Sequence, residues 1–194
     1  MPSTSFKTLV TSVRSCTLCA NELEFGARPI LQVHPKARIL LASQAPGSIA
    51  HKSGVPFNDP SGVRLREWMD IDLKTFYDKS LVAILPMAFC YPGKGSSGDL
   101  PPKPICAATW RNQLMATLPN VCLTLVIGQY AQEWHLPFKK KTLTDTVRHW
   151  AEYDETLLPL PHPSPRNNIW LKSNGWFERD VLPVLRDRVA NAIA

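Results

Sequence analysis

The feature that most constrains the fold of this chain is the alternation of short, almost fully apolar runs with amphipathic segments. The runs are ARILLAS, SLVAILPMAF, VCLTLVIG and TLLPLP, which begin at residues 37, 80, 121 and 156. Such runs are typical of strands buried on both faces of a parallel sheet, whereas Leu65, Trp68 and Met69 recur at helical spacing. The alternation predicts a three-layer α/β/α sandwich with a central, mainly parallel four-stranded sheet, as a single domain over residues 1–194.

The composition narrows the class of protein without identifying it. Lysine and arginine number 22 against 16 acidic residues, a net charge of +6, which favours a polyanionic partner such as DNA. No apolar run approaches the length of a membrane span, and the N-terminus lacks the apolar region of a signal peptide. We therefore expect an intracellular protein whose five cysteines are free thiols or metal ligands and not disulfides.

Two polar loops follow apolar runs and carry the residues with the greatest chemical potential. SQAPG follows the first run at residues 43–47, and HPSPRN follows the last at residues 162–167. Ligands of parallel sheets bind at the carboxyl ends of the strands, so we expect both loops to line one cleft. Pro161 and Pro163 restrict the backbone on either side of His162, and a stiff loop can aim that side chain. From these residues alone, a surface turn with an incidental histidine remains an equal alternative.

These motifs together carry a family resemblance. SQAPG, GVPF at residues 54–57 and HPS at residues 162–164 resemble the signature motifs of the uracil-DNA glycosylase superfamily, most closely its iron-sulfur branch, family 4. The resemblance runs from Cys16 to the HPSPRN loop. It implies a DNA-repair glycosylase that hydrolyses the N-glycosidic bond of a damaged, uracil-like deaminated base. The implied partner is DNA, duplex or single-stranded with a flipped base, bound by a monomer that is associated with the nucleoid.

The resemblance also implies a role for each matched position. His162 donates a hydrogen bond to the carbonyl oxygen of the leaving base, and Gln44 is the second catalytic residue, able to position a water. The residues that close the substrate pocket are Ala45, Pro46, Gly47, Phe57 and Asn58, and the Phe57 ring stacks on the flipped base. The residues that contact DNA are Pro163, Ser164, Arg166 and Asn167.

Four cysteines suggest a metal centre. Cys16 and Cys19 form a C-x2-C pair, and Cys90 and Cys106 follow the second apolar run. Four thiolates can hold a zinc ion or a cubane cluster, and ordinary thiols are the remaining alternative. The positions are similar to those of the family 4 cluster ligands, which implies a 4Fe-4S cluster, with zinc as the alternative. Cys122 lies within VCLTLVIG, so we attribute it to packing and exclude it as a ligand.

Three departures from family 4 bear on activity. Gln44 stands where a glutamate is expected, Ala45 where related enzymes have an aspartate, and Pro86 where an asparagine contacts uracil. These departures favour an alternative function, a catalytically weak or inactive DNA-binding or damage-sensing protein of the same fold. The polar residues in the Phe57 loop that could supply substitute groups are His51, Asn58 and Asp59, and a plain loop or capping role is the alternative for each. We interpret GKGSSGD, residues 93–99, as a flexible excursion near DNA.

Overall fold

The sheet confirms the predicted architecture. The computed structural model describes residues 5–96 and 98–194, and four parallel strands form its centre in the order β2-β1-β3-β4. The strands are β1 (Ile39–Ala42), β2 (Val82–Ile84), β3 (Leu123–Ile127) and β4 (Leu157–Leu160). Each predicted apolar run supplies one strand. Pro159 is accommodated in β4 because β4 is an edge strand, with one side free of a partner in the sheet.

Helices cover both faces of the sheet. Their bounds are α1 (Phe6–Arg14), α2 (Ser48–Ser53), α3 (Pro60–Met69), α4 (Leu73–Tyr77), α5 (Pro104–Met115), α6 (Gln129–His135), α7 (Leu143–Arg148), α8 (Asn168–Ser173) and α9 (Leu182–Ile193). A π-helical turn, Phe177–Val181, precedes α9. It occurs where Pro183 lacks the N–H group that a regular helix would use to bond the carbonyl of Arg179. Within the described ranges, no helix has the length and apolarity needed to cross a membrane.

The alternation of side chains along β1 divides the core into layers. Ile39 and Leu41 lie in the apolar cluster that includes residues of α3 and α9. Leu40 points to the opposite face, where it shares a cluster with residues of α1 and α5. Successive side chains of a strand point to opposite faces, so a strand covered on both sides is apolar throughout.

A buried arginine fixes the end of β2. Arg111 of α5 is 1% exposed and donates hydrogen bonds to the carbonyl oxygens of Leu85 (2.9 Å) and Pro86 (3.1 Å). Its Nε also donates to His135 Nε2 at 2.8 Å. Burial lowers the pKa of Arg111 to about 10, and burial together with Arg111 lowers the pKa of His135 to about 3. His135 is therefore a neutral acceptor, and Arg111 joins α5 and α6 to the segment that follows β2.

The turn before α3 holds Phe57 in an unusual conformation. Phe57 has φ 55, in the left-handed region that residues other than glycine rarely adopt. Its ring packs edge-on against Phe76, and Tyr77 Oη donates to the Pro56 carbonyl at 3.0 Å. Gly62 lies directly beneath this turn, because a Cβ atom there would stand 1.7 Å from the Phe57 carbonyl oxygen. The contact between α3 and the turn thus requires a residue without a side chain at position 62.

We expect Gly62→Ala to destabilise the protein by about 1–3 kcal/mol, because the obstructing atoms belong to backbone that cannot rotate away. The free energy of unfolding in urea measures the effect. Gly175→Ala is the matched control, since a Cβ atom at Gly175 meets no atom within 4 Å. Equal free energies of unfolding for Gly62→Ala and the wild type would contradict this account of the turn.

Candidate functional site

The loops that leave the carboxyl ends of three strands enclose a pocket of about 220 Å³. Its floor contains Ser43, Ile84 and Pro86, at the ends of β1 and β2. The segment Ala45–Gly47 and the Phe57 turn form walls, and the HPSPRN loop after β4 contributes to the rim. The prediction that SQAPG and HPSPRN line one cleft is confirmed.

Contacts from two directions hold the HPSPRN loop. Asn167 Nδ2 donates to the His162 carbonyl oxygen at 2.7 Å, which closes the loop on itself. Arg64 of α3 donates to the Ser164 carbonyl at 3.0 Å and to Asn168 Oδ1 at 2.7 Å. Helix α3, which begins three residues after Phe57, therefore also fixes the loop that carries His162. No local pattern in the sequence indicated this contact of Arg64.

His162 lies in the pocket as a neutral imidazole. Burial lowers the pKa of its ring; Asp59 and Asp99 oppose that shift and Arg166 adds to it. The histidine therefore carries one ring N–H donor and no charge at neutral pH. A neutral donor of this kind can stabilise negative charge that develops on a bound group.

The predicted site residues separate into those that line the pocket and those that lie beside it. The lining residues among them are Ala45, Pro46, Gly47, Phe57, His162, Ser164 and Arg166. Gln44 and Asn167 border an adjoining groove, in which Gln44 Nε2 donates to the Leu100 carbonyl at 3.4 Å. Pro163 is buried, and its carbonyl accepts a hydrogen bond from Arg64 at 3.4 Å. Asn58 is exposed and borders a separate surface groove beside α3.

Two carboxylates reach the pocket, of which the sequence indicated only Asp59 as a candidate. A Cβ atom on Gly47 would stand 3.7 Å from Asp59 Oδ2 and 3.7 Å from Asp99 Oδ2. Asp99 comes from the 93–99 segment, which was predicted only as an excursion near DNA. Residue 97 of that segment lies outside the described residues. The described residues around it approach one another, since Gly95 N donates to the Gly98 carbonyl and Leu100 N donates to the Gly93 carbonyl. No local pattern in the sequence signals this approach.

The 93–99 segment also meets the HPSPRN loop. A Cβ atom on Gly98 would stand 2.8 Å from Arg166 Nη1, so the guanidinium lies against the glycine backbone. Asp99, His162 and Arg166 border both the pocket and the adjoining groove. Among the residues that the structure describes, the Arg166 guanidinium makes no hydrogen bond, so its donors remain available at the rim.

His51, a second candidate from the Phe57 loop, lies outside the pocket. Its ring contacts those of Phe25 and Tyr91, and burial followed by the charge of Arg28 lowers its pKa. Its Nδ1 is buried and has no hydrogen-bond partner within the described residues.

The four predicted metal ligands converge on one cavity. Cys16, Cys19, Cys90 and Cys106 all line it, together with apolar residues such as Leu18 and Phe89. Two of the sulfur atoms accept hydrogen bonds: Trp110 Nε1 donates to Cys16 Sγ at 3.3 Å, and Phe89 N donates to Cys106 Sγ at 3.4 Å. The segment after α1, the segment after β2 and the first turn of α5 therefore meet here.

The electrostatics of this cavity favour uncharged thiols unless a cation neutralises them. Burial raises the pKa of Cys90 to about 11 and that of Cys106 to about 12, and the neighbouring thiolates add to both shifts. The pKa of Cys19 is raised by burial, Glu22 and Cys16. Over residues 5–96 and 98–194, no group of three or more histidine, cysteine or acidic side chains is positioned to hold a metal ion. The donor set itself is the soft, all-sulfur type that zinc and iron-sulfur clusters share.

The prediction that Cys122 is packed inside a strand is wrong. Cys122 is exposed and precedes β3, so it is not packed inside the strand. It does not line the four-cysteine cavity.

The lysine run at residues 139–141 does not line the pocket. Lys139 forms an ion pair with Glu133, and Lys140 forms one with Glu152 at 2.6 Å. Lys140 also lies over the Phe138 ring. These contacts fit a solvated surface segment.

Comparison with protein families agrees with the geometry. Residues 31–186 match the model of the uracil DNA glycosylase superfamily. The matched region contains all four strands, the pocket and the last two of the four clustered cysteines, while Cys16 and Cys19 precede it. Because the match covers most of its length, the chain belongs to the uracil DNA glycosylase superfamily.

Proposed function

We propose that this protein is a DNA-repair glycosylase that hydrolyses the N-glycosidic bond of a damaged, uracil-like deaminated base in DNA. Membership of the superfamily supports a DNA glycosylase in general terms. The observation that carries the proposal is the presence of Phe57 and a neutral His162 in one pocket. Phe57 supplies an aromatic surface on which a base can stack. His162 supplies a hydrogen-bond donor that can stabilise negative charge on that base.

Capture of the base depends on Phe57. A base extruded from the duplex loses its stacking partners, and an aromatic ring can replace part of that interaction. The strained turn, the contact with Phe76 and the tight approach of Gly62 fix the ring before the base arrives. A ring that is already fixed loses little conformational freedom on binding.

Bond cleavage depends on His162. As the bond between base and sugar breaks, negative charge moves to the base and the sugar acquires oxocarbenium character. The His162 N–H stabilises the charge on the base, and the hydrogen bond from Asn167 holds the loop in place. Gln44 borders the adjoining groove, where its carboxamide is placed to orient a water molecule.

Binding of DNA depends on the rim of the pocket. Arg166 is exposed and borders the pocket, so its guanidinium is placed to enter the gap that the base leaves or to bind a phosphate. Ser164 is the other rim residue that we assign to phosphate. The net charge of +6 supports a nucleic-acid partner, and a protein that repairs DNA acts in the nucleoid.

A catalytically weak damage sensor is the second candidate function. Pro86 in the pocket floor favours it, because proline offers neither an amide side chain nor a backbone N–H to hydrogen-bond the edge of uracil. Ala45 favours it as well, since it brings no carboxylate to the wall.

An incision assay distinguishes the two candidates. Oligonucleotides carrying uracil, hypoxanthine or xanthine are incubated with excess protein, and abasic sites are cleaved with alkali. We expect excision of at least one base, and we expect His162→Ala to slow it about a hundredfold to a thousandfold, the typical cost of losing one preorganised donor. His149→Ala, a change at an exposed histidine outside the pocket, is the control. An active protein whose His162→Ala variant keeps the wild-type rate would contradict the proposed role of His162.

We further propose that Cys16, Cys19, Cys90 and Cys106 hold a 4Fe-4S cluster. The irons and sulfides of a cubane cluster separate its four thiolates more widely than a single zinc ion does, since zinc-sulfur bonds are only about 2.3 Å long. The convergence of the four thiols on one cavity supports a site of this kind. The N–H groups of Trp110 and Phe89 would stabilise the thiolate sulfurs. A bound cluster would supply a cross-link between the N-terminal segment, β2 and α5.

Protein purified without oxygen should be brown and contain about four irons per chain. Cys90→Ser should lose the colour and most of the iron, whereas Cys122→Ser should keep both, because Cys122 lies outside the cavity. Metal analysis and visible absorbance provide the measurement. A colourless protein with one zinc would contradict the cluster but support the site, and a metal-free protein would contradict both.

A further inference from the structure

We propose that Asp99 supplies the catalytic carboxylate that the SQAPG motif lacks. The motif offers Gln44 and Ala45, and neither can accept a proton from water as a base. Hydrolysis nevertheless requires that a water molecule lose a proton while its oxygen bonds to the sugar. The proposal rests on the proposed glycosylase function and identifies the group that receives this proton.

The position of Asp99 fits that task. Its Oδ2 lies 3.7 Å from the site that a Cβ atom on Gly47 would occupy, so it faces the wall that SQAPG contributes. Its other oxygen, Oδ1, accepts a long hydrogen bond from Tyr91 Oη, at 3.4 Å. The residue is exposed and borders both the pocket and the adjoining groove, so bulk water reaches it.

Asp59 is the alternative carboxylate, and its contacts assign it a different role. Its Oδ1 accepts a hydrogen bond from Gly62 N at 2.9 Å and caps α3. That oxygen is therefore already committed to the cap of α3. Its Oδ2 points toward Gly47, as does that of Asp99, so Asp59 adds fixed negative charge near the sugar. We therefore assign Asp59 to electrostatic support and Asp99 to the proton.

The charges that develop on the substrate also decide on which side of it the two carboxylates can act. A carboxylate beside the departing base would oppose the negative charge that builds up there, whereas one beside the sugar stabilises the cation. His162 occupies the base side by its proposed role. We therefore assign the pair of carboxylates near Gly47 to the sugar side.

The reaction balances with water as the only co-reactant. The bond between the base nitrogen and C1′ breaks, and its electron pair leaves with the base. A bond forms between the water oxygen and C1′, and one water proton passes to Asp99 Oδ2. The departing base, held by His162, then takes a proton from solvent, and Asp99 returns its own to solvent.

Two measurements on Asp99→Asn test the inference. The first is the single-turnover excision rate, which should fall about a hundredfold, at the lower end of what a general base contributes. The second is the affinity for two duplexes, one with a cationic pyrrolidine and one with a neutral tetrahydrofuran in place of the target sugar. The wild type should prefer the cationic duplex about tenfold or more, and Asp99→Asn should lose most of that preference. Its affinity for the neutral duplex should stay within about threefold of the wild-type value.

Two further variants complete the test. Asp59→Asn keeps a helix cap, since asparagine caps as well as aspartate, and it should lose less than tenfold in rate. Asp70→Asn is the matched control at the opposite end of α3, where asparagine tolerates the left-handed backbone (φ 53), and it should behave as the wild type does. The inference is overturned if Asp99→Asn keeps both the rate and the preference, or if only Asp59→Asn loses them.

Failure of the proposed glycosylase function would give different results from failure of the inference about Asp99. In that case the wild type would excise no base and would bind the neutral abasic duplex no better than intact duplex. The inference about Asp99 would fall with it. An active wild type with an equally active Asp99→Asn variant would leave the glycosylase function intact and remove only the inference.

Discussion

Parallel pairing of four short strands is the constraint on which the site depends. Because all four strands run in one direction, their carboxyl ends meet at one edge of the sheet, where the loops after β1, β2 and β4 gather. The pocket floor is this edge, with Ser43 after β1 and Pro86 after β2. Arg111 stabilises this edge by donating hydrogen bonds to the carbonyl oxygens of Leu85 and Pro86. An uncompensated backbone carbonyl at a buried strand end is costly, so this arginine has a structural reason to be buried.

Charge is distributed unevenly around the pocket, and that asymmetry is central to the proposed chemistry. Asp59 and Asp99 lie near Gly47, His162 is neutral, and Arg166 stands at the rim. Such an arrangement suits a substrate that becomes positive at the sugar and negative at the base while its phosphates remain outside. The contact between Arg166 and the Gly98 backbone places the residue that we assign to DNA binding next to the segment that carries Asp99.

The sequence predicted the strands and the two principal loops because their signals are local. Burial on both faces makes a strand apolar throughout, and proline and glycine mark the loops that follow. Five helices, α1, α2, α4, α7 and α8, were not predicted. Four of them, all except α1, have only five or six residues, which give too little periodicity to recognise. Helix α5 starts at Pro104, since proline is favoured in the first turn of a helix. Asp99, Arg64 and Arg111 depend on contacts with residues distant in the chain, which no local pattern encodes.

The most direct test of the account is the structure of the protein bound to duplex DNA whose damaged nucleotide carries a 2′-fluorine. The fluorine disfavours the oxocarbenium state, so the bond remains intact in the complex. We predict that this nucleotide is extruded and that its base stacks on the Phe57 ring. The carbonyl oxygen of the base should accept a hydrogen bond from His162, and Arg166 should fill the gap in the duplex. A complex in which every base stays stacked and the DNA lies against residues 139–141 would contradict it.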